Sequence, residues 1–167
     1  MRPSRAAGSN LFRIMIIPSL LIVADRGCVK AFQVENTPTR GPMPRLAETF
    51  QVSAVPDRYR EEYTDRIGSF PNSGTNRQGN SVAEHHSVGE EHETRACREI
   101  ARQIDRLLSQ YHPATWGLAA PSEIAGAVLE KLTPNGRSSL KTVVKHDLIN
   151  VDAKALIGQF HEALALH

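Results

Sequence analysis

An unbroken apolar stretch near the start constrains this chain more than any other feature. Residues 14–24 (IMIIPSLLIVA) are eleven uncharged residues, and the segment before them is basic. A stretch of this length is too short to cross a bilayer as a helix, which needs roughly 20 residues. A basic start followed by a short apolar run is typical of a signal peptide. We therefore predict a signal peptide over residues 1–31, with cleavage after Ala24 or Ala31.

Removal of this leader would reverse the sign of the net charge. The chain has 20 Lys and Arg against 18 Asp and Glu, for a formal charge of +2. Residues 1–31 hold five of the basic and one of the acidic side chains, which leaves 15 against 17, or about −2. Bulk attraction to nucleic acid needs an excess of basic side chains facing phosphates. The composition therefore argues against nucleic acid as a partner, and it leaves no transmembrane anchor after leader cleavage.

The next segment, residues 32–92, is predicted to be a largely disordered spacer rich in Pro, Gly, Ser and Asn. Five prolines interrupt it, and residues 68–89 contain almost no large apolar side chains. Such a stretch buries too little apolar surface to offset the entropy lost on ordering.

Helical periodicity begins at residue 93 and continues to the C-terminus. In the first predicted helix, which ends before Pro113, apolar residues recur at spacings of three and four: Cys97, Ile100, Ile104, Leu107, Leu108 and Tyr111. A second helix is predicted to end near Leu132, a third to begin near Ser138, and a fourth to follow Asp152. No segment shows a convincing strand pattern. We therefore predict an all-α domain over residues 93–167, a small bundle of about four helices.

The first predicted helix also carries a stripe of arginines opposite its apolar face. The stripe consists of Arg95, Arg98, Arg102 and Arg106. It is interpreted as a partner-binding face for an acidic partner or a phosphate backbone. The alternative is an ordinary solvated helix surface. A separate alternative reads the second and third helices as a helix-turn-helix that contacts DNA through Lys141 and Lys145.

No catalytic or cofactor-binding motif is present with the residue spacing that it requires. His161-Glu162 would need a second histidine at position 165, where the chain has Ala. His85, His86 and His92 lie in the predicted spacer, so a metal site there would be weak. Cys97 falls on an apolar helix face, which favours an inert buried thiol over a nucleophile. We predict no catalytic residue, no metal and no cofactor.

The order of the parts resembles that of the secreted host-targeting effectors of oomycetes, the RxLR–dEER type. Those proteins have a cleaved leader, an arginine-bearing spacer and a cysteine-poor helical domain. The elements here closest to the two family motifs are Arg45-Leu46 and Arg60-Glu61-Glu62, and a full Arg-x-Leu-Arg is absent. The resemblance implies translocation elements at these positions and a site of action in the host cytoplasm or nucleus.

These observations together predict a secreted, non-enzymatic helical protein that binds another protein. The resemblance implies that the partner belongs to a host and that binding modulates host defence. The alternatives are a helical protein targeted to an organelle and the DNA-binding regulator described above.

Overall fold

A computed structural model describes residues 17–53 and 81–166, with the backbone alone for residues 81–88. The strands are β1 (Leu20–Ala24), β2 (Cys28–Thr37), β3 (Gly41–Gln51), β4 (Trp116–Ala119) and β5 (Leu140–Val144). The helices are α1 (Ser81–Tyr111), α2 (Ser122–Lys131), α3 (Pro134–Ser138) and α4 (Ala153–Ala165). The prediction of an all-α bundle is wrong, because these elements form an α/β fold.

The five strands form one mixed sheet with the order β3-β2-β1-β4-β5. The first three strands make an antiparallel meander, whereas β4 and β5 run parallel to β1. Helix α1 connects β3 to β4, and α2 with α3 connects β4 to β5. Strand β1 is therefore central, with an antiparallel neighbour on one side and a parallel neighbour on the other.

The apolar run predicted to be the core of a leader contains this central strand. Leu20, Ile22 and Ala24 belong to the core beneath α1 and α2, while Leu21 and Val23 face the core beneath α4. A strand buried on both faces reads as continuous apolar sequence, without the alternation of a half-exposed strand. A leader core and a central strand thus have the same sequence pattern here. Cleavage after Ala24 would separate β1 from the sheet.

The predicted spacer also contributes to the sheet. Strands β2 and β3 form a long hairpin around a turn in which Gly41 has a positive φ of 72°. Pro42 and Pro44 lie in β3, which is an edge strand, and edge strands tolerate proline because their outer N–H groups need no partner. The prediction of a disordered segment is therefore wrong for residues 32–37 and 41–51, and also for residues 81–92, which belong to helix α1.

Helices cover both faces of the sheet. Helices α1 and α2 pack on one face through residues that include Ile100, Ile104 and Ile124, all fully buried. Helix α4 packs on the other face through Leu156 and Phe160. The result is a three-layer α/β/α arrangement with two cores separated by the sheet.

The predicted helices are confirmed in three regions and wrong in one. The first helix, the second helix and the fourth helix with its Asp152 cap correspond to α1, α2 and α4. Thr133 caps α3 and accepts a hydrogen bond from the Gly136 N–H at 3.2 Å. The segment predicted as the third helix is instead strand β5, so Lys141 lies in a strand and Lys145 directly follows it. The helix-turn-helix interpretation is wrong for that reason.

Candidate functional site

Helix α1 presents the predicted arginine stripe on the side that faces away from the sheet. Its buried side contains Cys97, Ile100, Ile104 and Leu107. All four arginines of the stripe are exposed: Arg95, Arg98, Arg102 and Arg106. The sequence therefore located this face of the helix correctly, but the four side chains have different surroundings.

Arg106, at the C-terminal end of the stripe, is held against the edge strand of the sheet. Its guanidinium donates to Glu48 Oε2 of β3 at 2.8 Å and lies 4.3 Å from the centre of the Phe50 ring. Gln110 and Tyr111 donate to the other carboxylate oxygen of Glu48 at 2.7 and 2.8 Å. Three side chains of α1 thus converge on one carboxylate, which fastens the end of the helix to β3.

The same contacts shift two ionisation equilibria in opposite directions. The hydrogen bond from Arg106 is the main reason why the pKa of Glu48 is lowered, and the bond from Tyr111 adds to it. The bond to Glu48 raises the pKa of Tyr111, because the ionised phenol could no longer donate. This cluster is best explained as a structural contact, since its donors and acceptors are engaged with one another.

Arg95, at the other end of the stripe, forms an exposed ion pair with Glu91 one turn earlier, at 3.5 Å. Arg98 and Arg102 lie between the two engaged arginines. Neither forms a hydrogen bond or an ion pair with any residue of ranges 17–53 and 89–166. They are one helical turn apart, a spacing that brings their Cβ atoms to about 5–6 Å.

The two acidic side chains within one turn of Arg102 are directed to other parts of the protein. Glu99 Oε1 accepts the backbone N–H of Ser53 at 3.1 Å, just after β3. Asp105 accepts the hydroxyl of Thr133 at 2.8 Å and its backbone N–H at 3.2 Å. The carboxylates nearest to the free arginines therefore support the fold at the two flanks of α1.

Of the predicted translocation elements, Arg45 and Leu46 form no hydrogen bond or ion pair with the arginine stripe. Arg45 and Leu46 lie in β3, where both are exposed and Arg45 forms an ion pair with Glu35 at 3.4 Å. The Leu46 side chain is 52% exposed. Arg60, Glu61 and Glu62 lie outside the described residues.

The carboxyl ends of parallel strands are the usual place for ligands in α/β sheets, and here they hold structural contacts. Asp25, directly after β1, accepts the backbone N–H groups of Gly27 and Cys28 at 2.8 and 2.6 Å, which closes the turn into β2. The neighbouring Arg26 pairs with Glu93 of α1 at 3.1 Å. These contacts anchor the β1–β2 turn to the helix above it.

Metal-ligating and nucleophilic residues do not cluster in the described part of the chain. No group of three or more His, Cys, Asp or Glu there could hold a metal ion. Cys28 and Cys97 are both buried thiols outside any disulfide of the described residues, and they belong to the cores on opposite faces of the sheet. Burial raises the pKa of the Cys97 thiol, as expected for an unreactive cysteine.

Comparison with known protein families assigns the chain to one family. The model of one family, described as protein required for attachment to host cells, matches residues 20–159. The chain belongs to this family. No curated protein is detectably similar to the chain.

The host-attachment family match begins at Leu20, the first residue of β1, and extends into α4. It therefore includes the central strand, the β2–β3 hairpin and the whole arginine stripe. The resemblance to oomycete effectors is supported only to the extent that both concern interaction with a host. Within residues 17–53 and 81–166, no helix combines the length and apolar character that crossing a membrane requires.

Proposed function

We propose that this protein promotes attachment to host cells by binding a host component, without catalysing a reaction. The family match over residues 20–159 carries the proposal, because the family is described by its requirement in attachment. Attachment requires contact between two cell surfaces, so the protein would act outside the producing cell or on its surface. This location replaces the host cytoplasm or nucleus that the resemblance to oomycete effectors implied.

The arginine stripe of α1 supports a role in binding. Arg98 and Arg102 are exposed and without a partner in the described part of the chain. Guanidinium groups bind carboxylates through two parallel hydrogen bonds. We infer that the stripe contacts an acidic host component, with Arg98 and Arg102 as the residues that bind it and with Arg95 and Arg106 at its borders.

Deletion of the gene tests the attachment role directly. Cells that lack the protein should attach to host cells in much smaller numbers than the parent, and the intact gene supplied in trans should restore attachment. Growth rates of parent and deletion strain serve as the control for a general defect. Normal attachment by the deletion strain would contradict the proposed function.

A further inference from the structure

Arg98 and Arg102 form a like-charged pair without a hydrogen-bonded or ion-paired partner among the described residues. Charges of one sign at this spacing on a helix destabilise it by roughly 0.2–0.5 kcal/mol, whereas an acidic residue at either position would stabilise it. The nearest acids, Glu99 and Asp105, accept hydrogen bonds from Ser53 and Thr133 rather than from the two guanidinium groups. Both guanidinium groups are therefore available to an external anion.

The surroundings of the pair distinguish between classes of partner. Stable protein interfaces have an apolar core, in which aromatic and other large side chains lose their water. In the described ranges, the exposed large apolar side chains are Leu46 and Leu166, and neither belongs to α1. The residues that flank the pair on the outer side of the helix are polar, for example Glu91 and Ser109. Among the described residues, this surface can supply charge but offers no large apolar side chain for the centre of a protein interface.

We propose that Arg98 and Arg102 bind an acidic polysaccharide, a polymer whose sugar units carry carboxylates. Charge complementarity supports the assignment, because each guanidinium can donate two parallel hydrogen bonds to one carboxylate and one helical turn separates the two arginines. An extended, repeating polymer can lie along a convex helix surface without a pocket. The inference rests on the proposed function, which requires a partner on the host surface.

Binding of the full-length protein to polygalacturonate tests this assignment. The wild-type protein should bind polygalacturonate with an affinity that falls as salt is added, and it should bind the fully methyl-esterified polymer at least tenfold more weakly. The double variant Arg98→Glu, Arg102→Glu should lose at least tenfold in affinity. The new glutamate at position 102 would lie one turn from Glu99 and from Asp105, so the unfolding midpoint of the variant is measured alongside its affinity.

The matched control for the change of charge is Lys154→Glu. Lys154 is exposed near the start of α4, on the opposite face of the sheet. A single Arg98→Glu variant and Lys154→Glu change the net charge by the same amount, and only the former should bind polygalacturonate more weakly. Equal affinities for these two variants would overturn the proposal. Equal binding of the esterified polymer, or tighter binding of duplex RNA than of polygalacturonate, would also overturn it.

Failure of this inference can be separated from failure of the proposed function. A deletion strain that fails to attach, but recovers fully with the double variant, would retain the attachment role and overturn the arginine site. A deletion strain that attaches normally would overturn the attachment role itself, whatever the binding measurements show.

Discussion

The contact between β4 and α4 can be tested with a single methyl group. Gly117 lies in β4, and a Cβ atom added there would be 2.8 Å from Cε1 and 3.0 Å from Cδ1 of Phe160. The Phe160 ring is fully buried, and Thr142 closes the other side with its Cγ2 at 3.4 Å. Because the ring cannot move away freely, Gly117→Ala should destabilise the protein by about 1–3 kcal/mol, the usual cost of overpacking.

Urea unfolding followed by the fluorescence of Trp116 measures this effect. Trp116 is the sole tryptophan, is fully buried in β4, and donates its indole N–H to the Gly136 carbonyl at 2.7 Å. Gly158→Ala in α4 is the matched control, because its added Cβ would have no neighbour within 4 Å. That variant should gain about 0.5–1 kcal/mol, as alanine is favoured over glycine inside a helix.

A double-mutant cycle identifies the ring as the cause. In a Phe160→Leu background, Gly117→Ala should cost clearly less than in the wild type, with a coupling of at least about 0.5 kcal/mol. If Gly117→Ala were as stable as the wild type, α4 would not pack on β4 as described. If the cost were the same in both backgrounds, the strain would come from a contact other than the Phe160 ring.

Three further changes test other contacts by urea unfolding. Glu48→Gln should lower stability by up to about 1 kcal/mol at pH 7, the range for an exposed ion pair such as that with Arg106. Because the fold lowers the pKa of Glu48, the difference in stability between variant and wild type should disappear as the pH falls through that pKa. A pH-independent difference would refute the assignment of this ion pair. Thr133→Ala removes the cap of α3 and should cost about 1 kcal/mol, so an unchanged midpoint would argue against that cap. Arg98→Glu replaces repulsion of Arg102 by attraction and should add about 0.4–1 kcal/mol, whereas a loss would show that Arg98 supports the fold.

The helices could be predicted because each has one buried and one exposed side. In α1 the apolar residues recur every three or four positions, so both the buried side and the arginine stripe follow from the sequence. The cap of α3 at Thr133 and the cap of α4 at Asp152 also follow from the residue types at those positions. These are local features, and local interactions determine them.

The strands could not be predicted because neighbouring strands and covering helices stabilise them. Residues Leu20–Ala24 are buried on both faces, so their sequence lacks the alternation that identifies a half-exposed strand. Strand β5 has only five residues and follows the short helix α3 after Ser139, so its apolar residues also fit a helical pattern. The prolines in β3 suggested disorder, although an edge strand accommodates them.

The exposed side of α1 was predicted in outline but not in detail. The sequence places four arginines on one side of α1 without indicating which of them are free. Arg106 is engaged because β3 brings Glu48 next to it, and the two residues are far apart in the chain. Its ion pair with Glu48 depends on the sheet, which the sequence pattern did not reveal.

Attachment is proposed to depend on Arg98 and Arg102 of α1, and a count of attached cells measures this dependence. The deletion strain would receive the wild-type gene, the double variant Arg98→Glu, Arg102→Glu, or Lys154→Glu, with equal amounts of protein verified by immunoblot. We predict that the wild type and Lys154→Glu restore attachment and that the double variant leaves it at the level of the deletion strain. Full attachment with the double variant would contradict the account.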